Sequence, residues 1–392
     1  MSVSYIDRQA LAALAPTVCK ALIISDTQYG WLVASFSLAY LFATPLAGAL
    51  LDGVGARRGL VLAVIAWSAV AASQALVPSF GVFIAMRIAL GFTEAPSFPG
   101  AAQSVKRALP RDKRSAGFGL LFTGSSVGGM VAVPLVIALN HTWGWRVAFL
   151  LTAAIGLAWI PLWLGVTSRK DVRDVLMRAP VDDGDPIAPT DAPSRWTLLT
   201  SAPVLRAVVM VVFSAPSIMF GLNWFSKYLA HDFAISQDGL ARFLWVPLVF
   251  FDLGAVAFGA LASRIDARSP QRRTHVTLML AAGVLSATMV ATPLVHSPWI
   301  ATALVSSSLT GGGAIFALLT ADMLARVHSS HVSTAAGLTA SAQSLAYIVA
   351  GPLVGRSFDA SHSYSGALSV LGAVVLPAAI AWCVWPMRRP TK

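Results

Sequence analysis

Eleven stretches of about twenty apolar residues recur along the chain, at approximately 28–50, 59–77, 80–105, 115–138, 145–167, 204–226, 240–262, 274–294, 298–324, 333–355 and 365–386. A bilayer core about 30 Å thick takes roughly 20 apolar residues of helix. Only helices and closed barrels satisfy their own backbone groups in lipid. The pattern therefore predicts an all-α integral membrane protein. A shorter apolar segment at the start of the chain counts as a truncated first helix, giving about twelve spans. Composition agrees, because the 392 residues are 56% hydrophobic and 11% charged, against roughly 25% charged in soluble domains.

The net charge of +11 raises nucleic acid as a partner, but its distribution argues against one. Twenty Lys and Arg fall in alternate loops on one side, among them Arg57, Arg58, Lys106, Arg107, Arg169, Lys170, Arg264 and Arg388. The other side holds Lys20, Arg146, Lys227, Arg242 and Arg356. Such a bias marks the rich side as cytoplasmic and places both termini there, with a bacterial inner membrane as the expected location. The basic surplus is a topology signal, so the expected partner is the lipid bilayer and not nucleic acid. Cys19 and Cys383 imply no disulfide framework. Residues 1–19 carry Asp7 and Arg8 without a basic n-region, so they are not read as a cleaved leader.

Between residues 168 and 203 the apolar pattern gives way to charges, Pro and Gly. The expected organisation is a six-helix bundle over 1–167, a cytoplasmic linker over 168–203 and a second six-helix bundle over 204–392. A repeat supports it: "GALLDGVGARR" (48–58) and "GALASRIDARS" (259–269) share five of eleven positions, each at the end of the second helix of its half. Parallel repeats of this kind place a substrate site at the bilayer midplane between halves that rock to give alternating access. In the first copy Gly48 permits close helix approach, Asp52 sits at a helix end, and Gly55 turns the chain toward Arg57 and Arg58. These residues can latch neighbouring helices through charge; the second copy has Ser263 where the aspartate would stand.

An ionisable side chain at membrane depth costs at least about 2.5–3.5 kcal/mol and is a functional-site hypothesis by default. Those at membrane depth are Asp7 and Arg8 in the first segment, Arg87 and Glu94 in the fourth helix, Asp252 in the eighth and Asp322 near the end of the tenth; Arg206, at a helix edge, calls for no special role. Glu94 is the single glutamate beside sixteen aspartates. Seven residues separate it from Arg87, and at about 3.6 residues per turn the two share a face. Burial and a nearby cation pull a carboxyl's proton affinity in opposite directions. Glu94 therefore reads either as a proton-coupling element or as part of a permanent structural ion pair between the fourth helix and its neighbours.

Pro96 and Pro99 follow Glu94 and break the helical hydrogen-bond ladder, which predicts a bent helix and a cavity wall, or a packing kink. In "SYIDRQ" (4–9), Tyr5 and Arg8 meet on one helix face. A planar guanidinium grips both oxygens of a carboxylate, so Arg8 is the expected substrate anchor. Asp7 points away, either as a second proton acceptor or as the neutralising partner of Arg8.

The stretches "YIDRQ" (5–9), "RIALGFTEAPSFPG" (87–100), "WVPLVFFDLGAVAFGALASR" (245–264) and "QRRTHVTLML" (271–280) resemble the anion:cation symporters of the major facilitator superfamily, most closely its hexuronate and sugar-acid transporters. The loop over 48–58 is similar to that superfamily's signature between its second and third helices. The resemblance implies the major facilitator fold and proton-coupled uptake of a small organic anion, a sugar acid such as a hexuronate or aldonate, by a monomer without a cofactor. By position it implies that Arg8 holds the substrate carboxylate beside Tyr5 and Tyr40. Glu94 and Asp7 would be the protonatable carboxylates, Arg87 would modulate Glu94, and Asp52 and Arg58 would gate. The fifth helix, where relatives often carry Gln, offers Ser125 and Ser126. The seventh offers Asn223, Trp224 and Lys227. Relatives carry about half a helix before the Tyr-x-Asp-Arg motif, whereas four residues precede Tyr5 here; a downstream start site or a truncated chain is expected, with Asp7 and Arg8 near the surface if the helix begins at Met1.

The alternatives are a symporter for an aromatic or short-chain carboxylate, a membrane receptor, and a polytopic enzyme. For the last, His275, His296, His328 and His331 share no helical spacing with membrane carboxylates, so neither metal nor catalytic chemistry is expected. "TGGGA" (310–314) reads as a close-packing device inside a helix.

Overall fold

The computed structural model describes residues 2–108, 111–177, 200–268, 272–324, 326 and 332–385. Residues 178–199 of the expected linker and His328 and His331 lie outside the described residues, as do the side chains of Asp52, Ser126 and Ser263. Sixteen α-helices run through the described parts, joined by short 3-10 and π turns and with no β-strand among the described residues. Eight helical stretches there are long and apolar enough to cross a membrane. One of them, Val127–Ser168, is two of the expected spans. Gly144, at φ +81°, breaks the helix α7 (Arg111–Ser168) at the expected boundary between segments.

Of the remaining expected spans, all helical, one is continuous and two are interrupted. The first is α1 (Ser2–Ala13) and α2 (Ala15–Leu22); Leu14 leaves the helical region between them, and Pro16 stands in the first turn of α2, where its missing N–H is harmless. The expected 80–105 span is α5 (Phe80–Glu94) followed by α6 (Ser97–Ala108). The break falls at Ala95–Pro96, directly after Glu94, as the prolines predict. Helix α3 (Asp26–Val54) opens on a capping box in which the Ser25 hydroxyl accepts from Gln28 N–H and the Gln28 side chain accepts from Ser25 N–H. It ends at Gly55, whose φ of +80° turns the chain into α4 (Ala56–Ser73).

The chain forms two compact units. The first comprises Met1–Asp182 and Asn223–Trp245; the second comprises Asp183–Leu222 and Val246–Lys392. In the first unit α1 packs along α7, while α5 packs on α3 and α4. Its core joins Phe36, Val64, Trp67, Leu90 and Ala153. The segment Asn223–Trp245 adds α10 (Phe225–Asp232), and the segment is fastened to the first two helices through Ser226 of α10 and Gln237 beyond it. Ser226 Oγ donates to Ala12 O at 2.5 Å, Gln237 Nε2 to Ala13 O at 2.7 Å, and Thr17 Oγ1 to Gln237 Oε1 at 2.7 Å. The seventh span leaves helix α9 (Ala202–Met219) through a π turn, Phe220–Trp224, just after Pro216.

In the second unit α9 lies against α13 (Pro298–Leu324) and α14 (Val332–Ser361), and α12 (Arg272–Ala287) lies against α13 and α16 (Val375–Val384). The three glycines of "TGGGA" each face a different neighbour. A Cβ on Gly311 would meet Ser286 N at 2.3 Å, one on Gly312 would meet Ile218 Cγ1 at 2.8 Å, and one on Gly313 would meet Phe251 O at 2.1 Å. Successive residues point about 100° apart around a helix. The run therefore lets α13 approach α12, α9 and α11 (Trp245–Arg268) at one level, which is the packing role expected of it.

Candidate functional site

The first unit buries a charged cluster whose side chains come from α1, α3 and α5. Glu94 closes the last turn of α5 with its side chain fully buried, and its Oε2 lies 2.5 Å from Arg8 Nε; the Arg8 side chain is 21% exposed. The contact holds Arg8, on α1 (Ser2–Ala13), at the level of Glu94, the last residue of α5.

Three aromatic rings surround the Arg8 guanidinium. Its Cζ stands 5.2 Å from the centroid of Tyr5, 4.9 Å from Phe36 and 4.8 Å from Tyr40. A guanidinium within about 6 Å of a ring face is attracted to it, by up to about 2 kcal/mol where water is excluded. Tyr5 lies one turn before Arg8 on α1, as the spacing predicts, and Phe36 and Tyr40 are one turn apart on α3 and stacked at 5.7 Å. Among the described residues, the two terminal nitrogens of Arg8 have no hydrogen-bond partner.

Arg87 shares the buried stripe of α5 with Glu94 but turns the other way. Its Nε donates to Leu32 O at 3.5 Å, and its Cζ stands 4.9 Å from the Phe36 ring. The carboxylate partner of Arg8 is Glu94, so Arg87 and Glu94 are neighbours without being an ion pair. Glu94 Oε1 and Arg87 Nη1 are buried without a hydrogen bond. Asp7, 4% exposed, lies within reach of Glu94 and Arg8 and beside Thr152. Neither of its oxygens accepts a hydrogen bond of normal geometry; the Thr152 hydroxyl donates to Phe149 O at 3.0 Å. On α7, Ser125 is buried with an unbonded hydroxyl near that of Tyr5.

The register of this cluster follows from Gly91, three residues before Glu94 and four after Arg87. A Cβ there would meet Phe36 O at 2.6 Å, Ala39 Cβ at 2.8 Å and Tyr40 N at 3.2 Å. The absent side chain lets α5 lie directly on α3, which places Arg87 and Glu94 on either side of the contact.

The seventh-helix candidates form a separate group around the start of α3. Lys227 Nζ lies 2.9 Å from Asp26 Oδ1 in the first turn of α3, with both side chains largely buried. It also stands 5.1 Å from the Tyr29 ring. The Tyr29 hydroxyl donates to Asn223 O at 2.5 Å, and its ring meets Trp224 edge-on at 4.9 Å. Asn223, Trp224 and Lys227 therefore meet Asp26 and Tyr29, and are not brought to Arg8. At the other end of α3, Arg58 is exposed. Arg57 Nε donates to Thr167 Oγ1 at 3.2 Å, while Arg57 O accepts from Trp163 Nε1 at 3.1 Å.

Sequence reasoning passed over Phe36, Tyr29 and Asp26. The signal for Phe36 was its spacing from Leu32 and Tyr40, which puts all three on one face of α3 at i, i+4 and i+8. Arg206 was also passed over. It is buried, donates to Asp322 Oδ2, and lies 3.8 Å over the Trp382 ring. Asp252 is half-buried on α11.

Residues 1–351 match the family model of the Major Facilitator Superfamily. The chain is 30% identical over 262 residues to a galacturonate transporter of Dickeya chrysanthemi, covering 65% of this chain and 76% of that protein. It is 26% identical over 392 residues to the hexuronate transporter of Bacillus subtilis strain 168, covering 97% and 90%. The fold matches that of a bacterial homolog of the human lysosomal transporter Spinster, with a TM-score of 0.76 at 17% identity over 98% of this chain and 92% of the other.

Proposed function

The chain belongs to the major facilitator superfamily and is a membrane transporter rather than an enzyme, and from that premise we propose that it takes up a sugar acid of the hexuronate class together with protons by alternating access. The sugar-acid assignment rests on similarity to transporters named for galacturonate and hexuronate. The observation that carries the mechanism is the divided guanidinium of Arg8. Its Nε holds Glu94, while the edge formed by its terminal nitrogens has no protein partner among the described residues. A planar carboxylate fits that edge through two parallel hydrogen bonds.

Glu94 has an oxygen free to take a proton. Protonation there removes the negative charge facing Arg8 and leaves its positive charge for the incoming anion. Release of the proton restores the Arg8–Glu94 pair and weakens the hold on the substrate. Asp7, buried without hydrogen bonds, is the second protonatable group, and Arg87 keeps a positive potential behind Glu94. Tyr5 and Tyr40 flank the anion, with Ser126 as a neighbouring hydroxyl on the fifth helix. Lys227, Asn223 and Trp224 act on the site indirectly through the start of α3. Asp52 and Arg58 gate the basic end, the bodies that move are the helix bundles over 1–167 and 204–392, and the monomer sits in the inner membrane with cytoplasmic termini.

Uptake of a panel of radiolabelled sugar acids by cells expressing the chain tests this reading. At least one hexuronate or aldonate is expected to accumulate, and Arg8→Ala is expected to abolish that uptake. Accumulation of aromatic or short-chain acids alone would redirect the substrate assignment; unchanged uptake by Arg8→Ala would remove the anchor.

A further inference from the structure

Two guanidiniums share one aromatic ring in the buried cluster. The Cζ atoms of Arg8 and Arg87 each stand 4.9 Å from the centroid of Phe36. Both are on membrane helices, where like charges that close are expensive to hold. The carboxylate that directly offsets them is Glu94, which bonds only Arg8. Asp7 lies within reach of Arg8, and further compensation comes from α3. Leu32 accepts from Arg87, Phe36 lies against both arginines, and Tyr40 lies against Arg8. These three residues form a single stripe, four apart each time, and Gly91 fixes that stripe against α5.

We propose that Phe36 is a positioning residue for transport: its π face holds the two guanidiniums at a set separation and so aims the open edge of Arg8 at the substrate carboxylate. An aliphatic side chain of similar size would fill the volume without offering negative charge to either cation. Arg87 would then lose the face it rests on, and Arg8 would be held on fewer sides, free to rotate its terminal nitrogens away from the anion. The inference deepens the transport reading given above and rests on it for the substrate; the cation–ring coupling itself does not.

Stepwise fluorination of the Phe36 ring separates the π face from mere bulk, because each fluorine withdraws charge from the face while adding little volume and no polarity that water would seek. Full-length protein carrying mono-, di- and trifluorophenylalanine at position 36 is purified, and its thermal unfolding midpoint is measured alongside the KM for sugar-acid uptake in proteoliposomes. The midpoint is expected to fall step by step, and KM to rise in the same order, reaching about ten-fold for the trifluoro ring with Vmax little changed, as weakening two desolvated cation–ring contacts implies. Phe36→Leu should resemble the trifluoro protein, and Phe36→Tyr should restore wild-type KM.

An unfolding midpoint that stays level across the series overturns the cation–ring coupling. A falling midpoint with a flat KM overturns the positioning role. If the midpoint falls but the unmodified protein takes up no sugar acid, the coupling stands and the substrate reading fails instead.

Discussion

The two units each bury a carboxylate against arginine, but they finish the job differently. In the second unit Asp322 is saturated: Oδ2 takes Arg206 and Oδ1 takes Arg326 at 3.0 Å. Arg206 in turn lies on the Trp382 ring and donates to Trp382 O at 3.4 Å. In the first unit Glu94 uses one oxygen and leaves the other bare, Asp7 leaves both bare, and Arg87 leaves a terminal nitrogen bare. A buried polar atom without a partner costs about 1–3 kcal/mol. The difference lies in the carboxylates: both oxygens of Asp322 are taken, whereas Glu94 and Asp7 keep unbonded ones, which supports the proposal that the first unit waits for a partner that comes and goes. The contrast supports reading one group as a brace and proposing the other as the working site without reference to residue type, since both contain the same two kinds of charge.

Replacing each pair by apolar side chains tests that contrast most severely. Arg8→Met with Glu94→Leu is expected to lower uptake by more than about 100-fold, because the anchor and the coupling carboxylate are lost together. Arg206→Met with Asp322→Leu should leave uptake within about two-fold, since a well-packed apolar pair commonly substitutes for a buried ion pair. Equal loss in the two doubles would erase the distinction. Removing one member of the brace is a different matter. Asp322→Asn strands Arg206 and should cost about 3 kcal/mol of stability, read as a lower unfolding midpoint with KM unchanged.

A smaller effect is expected where the first unit is aligned rather than charged. Gly91→Ala forces α5 away from Phe36 O and should reduce uptake about ten-fold, in line with the sensitivity of buried contacts to overpacking of about 1–3 kcal/mol. The smallest is at Lys227. Asp26 occupies the first turn of α3, where the helix dipole still favours its charge by roughly 0.3–1 kcal/mol. Lys227→Gln should therefore change uptake by about two-fold for every substrate alike; a large loss that differed from one acid to another would make Lys227 a substrate contact.

The helical, membrane-spanning nature of the chain was legible because periodicity and length are local. So were the break after Glu94, which Pro96 imposes on its own helix, and the packing role of "TGGGA", which needs only the absence of side chains. Partner choice was not local. Arg87 and Glu94 share one stripe of α5, as their spacing of seven predicts, while the bond Glu94 forms reaches to Arg8, 86 residues away. Asn223, Trp224 and Lys227 carry the right chemistry for a binding site, but a π turn and three hydrogen bonds to the first two helices set them against Asp26 and Tyr29. Phe36 was passed over because an apolar residue in an apolar helix has no compositional contrast; its spacing from Leu32 and Tyr40 marks the face, and the two cations resting on its ring mark the residue. Arg206 looked like an edge residue by hydropathy, although tertiary packing buries it against Trp382.

The central claim is that the unsaturated oxygen of Glu94 carries the proton that drives accumulation while Arg8 holds the anion. Proteoliposomes containing wild-type or Glu94→Gln protein, loaded at neutral pH and diluted into acidic buffer with labelled sugar acid, measure this directly when uphill accumulation and exchange of pre-loaded substrate are followed in parallel. The account predicts that wild type performs both, and that Glu94→Gln retains exchange at a comparable rate but accumulates nothing above equilibrium. Uphill accumulation by Glu94→Gln at the wild-type level would contradict it.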